Sequence, residues 1–253
     1  LNILEMVPPA FVPGVQVGSI AGQRLHADPA MGVVQEVPDL LPTVDGRAIP
    51  DYQQSISCHA EQVKQEFAVR HQKVQEMRQA EAEILILQAM HWNRPVIGHC
   101  LGGQLMSRAL GGTIGASSQP EIGWHSIDYE DHPLVKEWFG ANPTPTVIQW
   151  HYEAFTVPNG ATRLAGSTHC ANQAWAMGSN LAMQFHIEIN QTKIDSWVAE
   201  DDASWAQARG LFESAQSRQT ILDRTAQHIA SHKRTADHIY THWLSTTEWA
   251  KKV

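Results

Sequence analysis

The strongest constraint in this chain is a cysteine between glycines, at the point where one hydrophobic pattern gives way to another. Pro95 to Ile97 is a short apolar run that breaks at Gly98. After Cys100, Leu101, Leu105, Met106, Ala109 and Leu110 recur at helical spacing until Gly111-Gly112. Gly98-His99-Cys100-Leu101-Gly102 is a G-x-C-x-G string, the strand-turn-helix elbow that presents a nucleophile, with sulfur in place of a serine oxygen. So tight a turn leaves no room for side chains on the flanking residues and strains the nucleophile's own backbone. It also places Cys100 at a helix N-terminus, where unpaired backbone N–H groups stabilise negative charge. The plainer alternative is a βα turn holding a buried, inert cysteine. The complete string of strand, Gly, Cys, Gly, helix and terminal Gly-Gly is narrower than that alternative requires.

A thiol nucleophile needs a base, and the base needs an orienting group. Gln184-Phe185-His186-Ile187-Glu188 supplies both. It continues a strand-like run from Leu181, and residues two apart on a strand project to the same face. His186 and Glu188 therefore converge, while Phe185 and Ile187 face a layer of covering helices. His99, beside the nucleophile, is tempting as a base, but adjacent residues at an elbow diverge, so its expected place is in packing or at the pocket rim. His228 with His232, and His238 with His242, have the i,i+4 spacing that can hold a metal on one helix face. No glutamate follows the first histidine of either pair as a metalloprotease requires, so a polar helix face is expected and no metal.

Composition removes several function classes. A net charge of −8 and an isoelectric point near 5.9 leave no basic footprint for nucleic acid or anionic lipid. The apolar runs fall well short of the roughly 20 residues that a membrane span needs. Residues 1–10 lack a positive n-region and include Glu5 and two prolines, so no signal peptide is expected. Three cysteines, Cys58, Cys100 and Cys170, suit a reducing, cytoplasmic setting with at least one free thiol. Neither a Walker phosphate loop nor a dinucleotide-binding glycine pattern occurs, and no cofactor is expected.

The 253 residues suffice for one α/β domain. Residues 1–50 are punctuated by proline and glycine, with Val15 to Ile20 and Met31 to Val34 as candidate strands. From Tyr52 to Arg94 no glycine or proline interrupts, which predicts one long amphipathic helix or two, docking an apolar face on the body. Strands are then expected at 95–97, 122–129, 146–150, 162–165, 173–177 and 181–187, and a short helix at 132–139 ended by Gly140. Beyond about residue 190 the pattern is helical, with Trp197, Trp205, Ile221, Ile239 and Trp243 as packing residues. Strands alternating with helices around a strand-rich middle argue an α/β fold with a mixed central sheet.

Together, Gly98 to Gln104 and Gln184 to Glu188 resemble the two signatures of the class I (triad) glutamine amidotransferases. Between them, in the family's order, lie Glu121-Ile-Gly-Trp124, Trp150-His-Tyr-Glu-Ala-Phe155, Val157-Pro-Asn-Gly-Ala161 and His169-Cys-Ala-Asn-Gln-Ala174. The chain is most similar to stand-alone proteins related to the amidotransferase domain of GMP synthase. The match is good over 83–253; residues 1–82 are atypical, within an expected single domain over 1–253. The resemblance implies a flavodoxin-like α/β fold with a helical C-terminal segment. It implies that Cys100 attacks the glutamine side-chain amide, that His186 acts as base and acid, and that Glu188 orients His186. It further implies Leu101 N–H as an oxyanion donor, and Gln104 and Glu153 as substrate-binding residues, Glu153 toward the α-amino group. Glutamate and ammonia would be the products, and a separate synthase could accept the ammonia.

One departure matters. Members of the family carry a Gly-Gly loop before the elbow that supplies a second oxyanion N–H. Here no Gly-Gly precedes Gly102-Gly103, and residues 57–80 are a glutamine-rich helical stretch, although Val44 to Pro50 looks locally family-like. Two alternatives to glutamine hydrolysis therefore stand: a γ-glutamyl hydrolase using the same triad on peptide or amine conjugates, and a catalytically impaired homologue that acts by binding.

Overall fold

The first strand, β1 (Val15–Val17), lies parallel to β4 (Val96–His99), the strand that runs into the elbow. The computed structural model of the chain describes residues 15–17, 43–44, 47–48, 52–141, 145–200 and 202–247. The expected strand at Met31 to Val34 lies outside these. Two further short strands, β2 (Thr43–Val44) and β3 (Arg47–Ala48), pair as an antiparallel ribbon. The chain divides into two units, Leu1–Gly22 with Ala82–Val253, and Gln23–Glu81. The first unit contains the elbow.

Among the described residues its central sheet has six strands in the order β1, β4, β10 (Asn180–Met183), β9 (Ala174–Met177), β8 (Thr162–Gly166), β6 (Asp128–Tyr129). β1, β4 and β10 run parallel, and the remaining neighbours pair antiparallel, so the sheet is mixed as expected. β4 sits between parallel neighbours and is buried along its whole length, which is why its sequence is continuously apolar up to Gly98. A second, two-stranded ribbon is formed by β5 (Ile114–Ser126) and β7 (Thr146–Phe155), with a register shift between Ala116 and Glu121.

Helices flank the sheet. α2 (Leu101–Ala109) follows the elbow, and α3 (Pro133–Phe139) is entered through His132, whose side chain accepts from Leu134 N. α3 closes at Gly140 with φ 76°, a left-handed conformation that glycine adopts at no steric cost. α4 (Gln191–Ala199), α5 (Ala203–Leu211) and α6 (Arg218–Ser245) complete the C-terminal segment. One core cluster joins Phe185 and Ile187 to Val135, Trp138 and Phe139 of α3 and to Ala236, Ile239 and Trp243 of α6. Phe185 and Ile187 are thus covered by helices, as their alternation with His186 predicts.

Two expectations need correction. α1 (Tyr52–His91) is one continuous helix of 40 residues. Over 82–91 the docking face is narrower than expected: Ile86 and Ala89 join the core cluster of Val96, Leu105 and Met106, while Ile84, Leu85 and Leu87 are exposed. Four successive apolar residues at 84–87 spread around the helix circumference, and of these only Ile86 is buried, together with Ala89 one turn on. Similarly, the strand expected over 181–187 ends at Met183; His186 holds its place through a lone antiparallel bridge to Ile148, its N–H donating to the Ile148 carbonyl at 3.0 Å.

Candidate active site

The elbow has the predicted geometry. Cys100 adopts φ 46°, ψ −109°, outside the regions that side-chain-bearing residues ordinarily occupy. Its N–H donates to the Met183 carbonyl of β10 at 2.8 Å, which anchors the strained residue to the neighbouring strand. A Cβ built on Gly98 would lie 2.6 Å from the Gly102 carbonyl carbon, and one on Gly103 would lie 2.6 Å from the Met183 oxygen. The glycines are therefore required by backbone-to-backbone packing. Leu101 opens α2, and its N–H is among the first-turn groups that a helix leaves without an internal partner.

His186 and Glu188 meet on one side of their segment. His186 Nδ1 lies 2.6 Å from Glu188 Oε1. Among the described residues, His186 Nε2 is buried and has no hydrogen-bond partner. Burial disfavours the imidazolium, but the Glu188 carboxylate and the Cys100 sulfur outweigh it and hold His186 up at about 10. Glu188 shows the converse: burial would raise it, yet His186 and then His99 bring it down to about 2. The His186 ring also packs edge-on against Trp197, with centroids 4.9 Å apart, and Trp197 continues into Trp150 at 5.4 Å. Trp197, expected as a packing residue, thus packs directly against the imidazole.

The other sequence-predicted residues converge less evenly. Gln104 is buried, and its Nε2 donates to the Glu153 carbonyl at 3.0 Å and toward Gln184 Oε1 at 3.4 Å. The Glu153 side chain is exposed; what it brings to this contact is backbone. His99 is fully buried, so it packs in the interior and lines no rim. Gln184 was missed as a site residue: its Nε2 donates toward Cys100 Sγ at 3.7 Å. The same two-residue alternation that pairs His186 with Glu188 puts Gln184 on their face. Cys100 Sγ in turn lies 3.9 Å from the Trp150 carbonyl.

The motifs between the two signatures assemble into one buried network. Glu121 Oε2 lies 3.1 Å from His151 Nε2 and accepts from Gln173 Nε2 at 2.7 Å, while Glu121 Oε1 accepts from Ser167 Oγ at 2.8 Å. Gln173 Oε1 accepts from Gln149 Nε2 at 2.8 Å, and His151 Nδ1 donates to the Glu153 carbonyl at 3.1 Å. Burial pushes Glu121 toward protonation, and the bonds from His151 and Ser167 more than reverse it, leaving its carboxyl below the ordinary value. Among the described residues, Glu121, His151 and Cys170 bring potential metal-ligand atoms within 4.8 Å of one another. Those atoms are already engaged: the first two with each other, and Cys170 Sγ with the Asn172 carbonyl at 3.5 Å. The histidine pairs of α6 depart in part from the expected polar face: His238 is exposed, but three of the four meet tryptophan rings. His232 is buried edge-on against Trp124, His228 is tilted against the same ring, and His242 meets Trp138. An imidazole held against an indole forfeits hydration but gains ring contact.

The family model "Glutamine amidotransferase class-I" matches residues 59–203. The chain belongs to the class I glutamine amidotransferases. This amidotransferase is 35% identical to the glutamine amidotransferase of Methylobacillus flagellatus, whose crystal structure superposes with a TM-score of 0.62 over 65% of this chain and 68% of that one. It is 34% identical over 131 residues to the glutamine amidotransferase-like protein YfeJ of Salmonella typhimurium, covering 50% of this chain and 54% of that protein. It is 30% identical over 143 residues to the glutamine-hydrolysing GMP synthase of Bacillus pumilus, covering 51% of this chain and 27% of that enzyme. The amidotransferase thus spans about half the length of YfeJ and about a quarter of the GMP synthase. The family match begins at residue 59, inside α1, and so reaches further toward the N-terminus than the motifs, which are legible from about residue 83.

Proposed function

We propose that this amidotransferase hydrolyses the side-chain amide of glutamine to glutamate and ammonia through a thioester on Cys100. The observation that carries the reading is the strained Cys100 elbow together with a buried His186 whose Nδ1 is held 2.6 Å from Glu188. The Cys100 sulfur adds to the amide carbon as the thiolate, because His186, held up at about 10, already carries the proton on Nε2. His186 gives that proton to the departing nitrogen as the C–N bond breaks, so ammonia leaves and a glutamyl thioester remains. Water then gives a proton to His186 and adds to the thioester carbon; the C–S bond breaks, glutamate is released and the Cys100 thiolate is restored beside the protonated His186. Glu188 supports the imidazolium in both halves, and its position at about 2 keeps it ionised throughout. Leu101 N–H would face the developing oxyanion, and an oxyanion donor contributes on the order of 100- to 1,000-fold in rate. Gln104 and the Glu153 region would bind the substrate's glutamate moiety. The acceptor of that ammonia would be a separate synthase, since the GMP synthase relative has a long region that the matched residues of this chain do not cover.

A second reading rests on one observation. Helix α1 occupies the residues where a Gly-Gly loop would supply the second oxyanion donor, which favours an impaired homologue that binds glutamine or a γ-glutamyl compound without turnover. Ammonia release from purified protein decides between them, with Cys100→Ala as the control. Release from glutamine that the substitution abolishes supports the first reading. Release from γ-glutamyl conjugates alone moves the substrate class, and a folded protein inert to both supports the second.

A further inference from the structure

The proposed triad uses only one oxygen of Glu188. The other, Oε2, is buried and without a hydrogen bond among the described residues, and so is Nδ1 of His99. These two atoms face each other at 3.5 Å. On the far side of the same ring, His99 Nε2 lies 2.9 Å from the hydroxyl of Tyr240 on α6. The titratable groups bearing on Glu188 are His186 on its own segment, His99 at the end of β4, and His232 and Tyr240 on α6.

We propose that Tyr240 and His99 are positioning residues for Glu188: the Tyr240 hydroxyl donates to His99 Nε2, which places the single ring proton on Nδ1 and aims it at Glu188 Oε2. This rests on reading Glu188 as the residue that orients His186. Protonation states suit it. Burial, reinforced by the Glu188 charge, lifts the Tyr240 phenol well above its ordinary value, so it remains a donor. Burial outweighs the pull of Glu188 on His99 and brings it down to about 4, so its ring is neutral. A neutral donor is what the site needs there. A second cation beside Glu188 would compete with His186 for the same carboxylate and weaken its hold on the imidazolium. A neutral N–H fixes the carboxylate plane without adding charge, leaving Oε1 on His186.

The test compares His99→Leu, which removes the donor, with His99→Asn, which keeps an N–H close to Nδ1, and with Tyr240→Phe, which frees the ring proton to move. The expected loss in kcat for His99→Leu is roughly 10- to 100-fold, the equivalent of one hydrogen bond to a charged group, with KM little changed and substantial recovery in His99→Asn. A second readout needs no substrate. The proton in the short His186–Glu188 bond should give a far-downfield 1H NMR signal that is kept in His99→Asn and broadened or lost in His99→Leu and Tyr240→Phe. A wild type inert to glutamine, but with that pattern of signals, would overturn the glutaminase reading and leave this one standing. An unchanged signal in folded His99→Leu would overturn the positioning role. Should His99→Leu fail to fold, Tyr240→Phe decides, because it deletes one hydroxyl and leaves the ring packing in place.

Discussion

A methyl group added at Gly98 would lie 2.6 Å from the Gly102 carbonyl carbon and 2.7 Å from Met106 Sδ. Gly98→Ala is therefore expected to lower stability by about 1–3 kcal/mol, seen as a lower urea midpoint at unchanged m-value. Gly115→Ala is the matched control, since nothing lies within 4 Å of its Cβ, and its effect should stay within about 0.5 kcal/mol. The two buried cysteines should differ in reactivity. Burial pushes the Cys170 thiol up to about 11, so iodoacetamide near neutral pH should modify Cys100 first, as read by peptide mass spectrometry; equal rates would contradict the elbow assignment. At this scale the sequence is informative where the constraint is local. The glycines and the two-residue spacing of His186 and Glu188 are short-range features. Tyr240 is 141 residues from His99, and no periodicity in α6 marks it as different from its neighbours. Glu153 illustrates the converse, because its backbone carbonyl lies in the Gln104 contact and a carbonyl leaves no trace in residue type.

Elements were legible to the extent that their ends are written in side chains. Gly140 stops α3 as expected, whereas β10 stops at Met183 inside a strand-like run that continues to Ile187, because its neighbour β9 ends there: Ala174 pairs with Met183. Strand length is thus set by the partner's length. α1 is long as expected, and its burial falls on Ile86 and Ala89, which pack with Val96, Leu105 and Met106. Two helix-level changes test this local accounting. Ser217 caps α6 by accepting from Thr220 N at 3.1 Å, and Ser217→Ala should cost about 1 kcal/mol in thermal denaturation. Gly210, near the end of α5, has nothing within 4 Å of a built Cβ, so Gly210→Ala should raise stability by about 0.4–1 kcal/mol.

Over the whole molecule, the buried histidines set the response to acid. Burial brings both His99 and His232 down from 6.5 to about 4. Below pH 6.5 the unfolded chain takes up protons that these two folded residues refuse, so stability falls as pH drops from about 6.5 to 4, on the order of 3 kcal/mol for each group at the lower limit. His186 acts in the opposite sense: with its value raised to about 10, its contribution is complete below 6.5 and is lost as pH climbs through 10. Urea midpoints should therefore decline steeply between pH 6.5 and 4.5. His232→Phe, which keeps a ring against Trp124 at 5.2 Å, should flatten the decline; an equal slope in the variant would remove His232 from the account. The helix that carries His232 also supplies Thr225 to the Trp124 indole at 2.8 Å and Tyr240 to His99 at 2.9 Å. It contributes Ile221 to one core cluster and Ala236, Ile239 and Trp243 to another. For a protein engineer the portable unit is consequently larger than its signatures. Residues 95–112 and 181–188 grafted onto another α/β frame would bring Cys100 and His186, but would leave behind the helix, Arg218–Ser245, that packs against their surroundings and lies beyond both motifs.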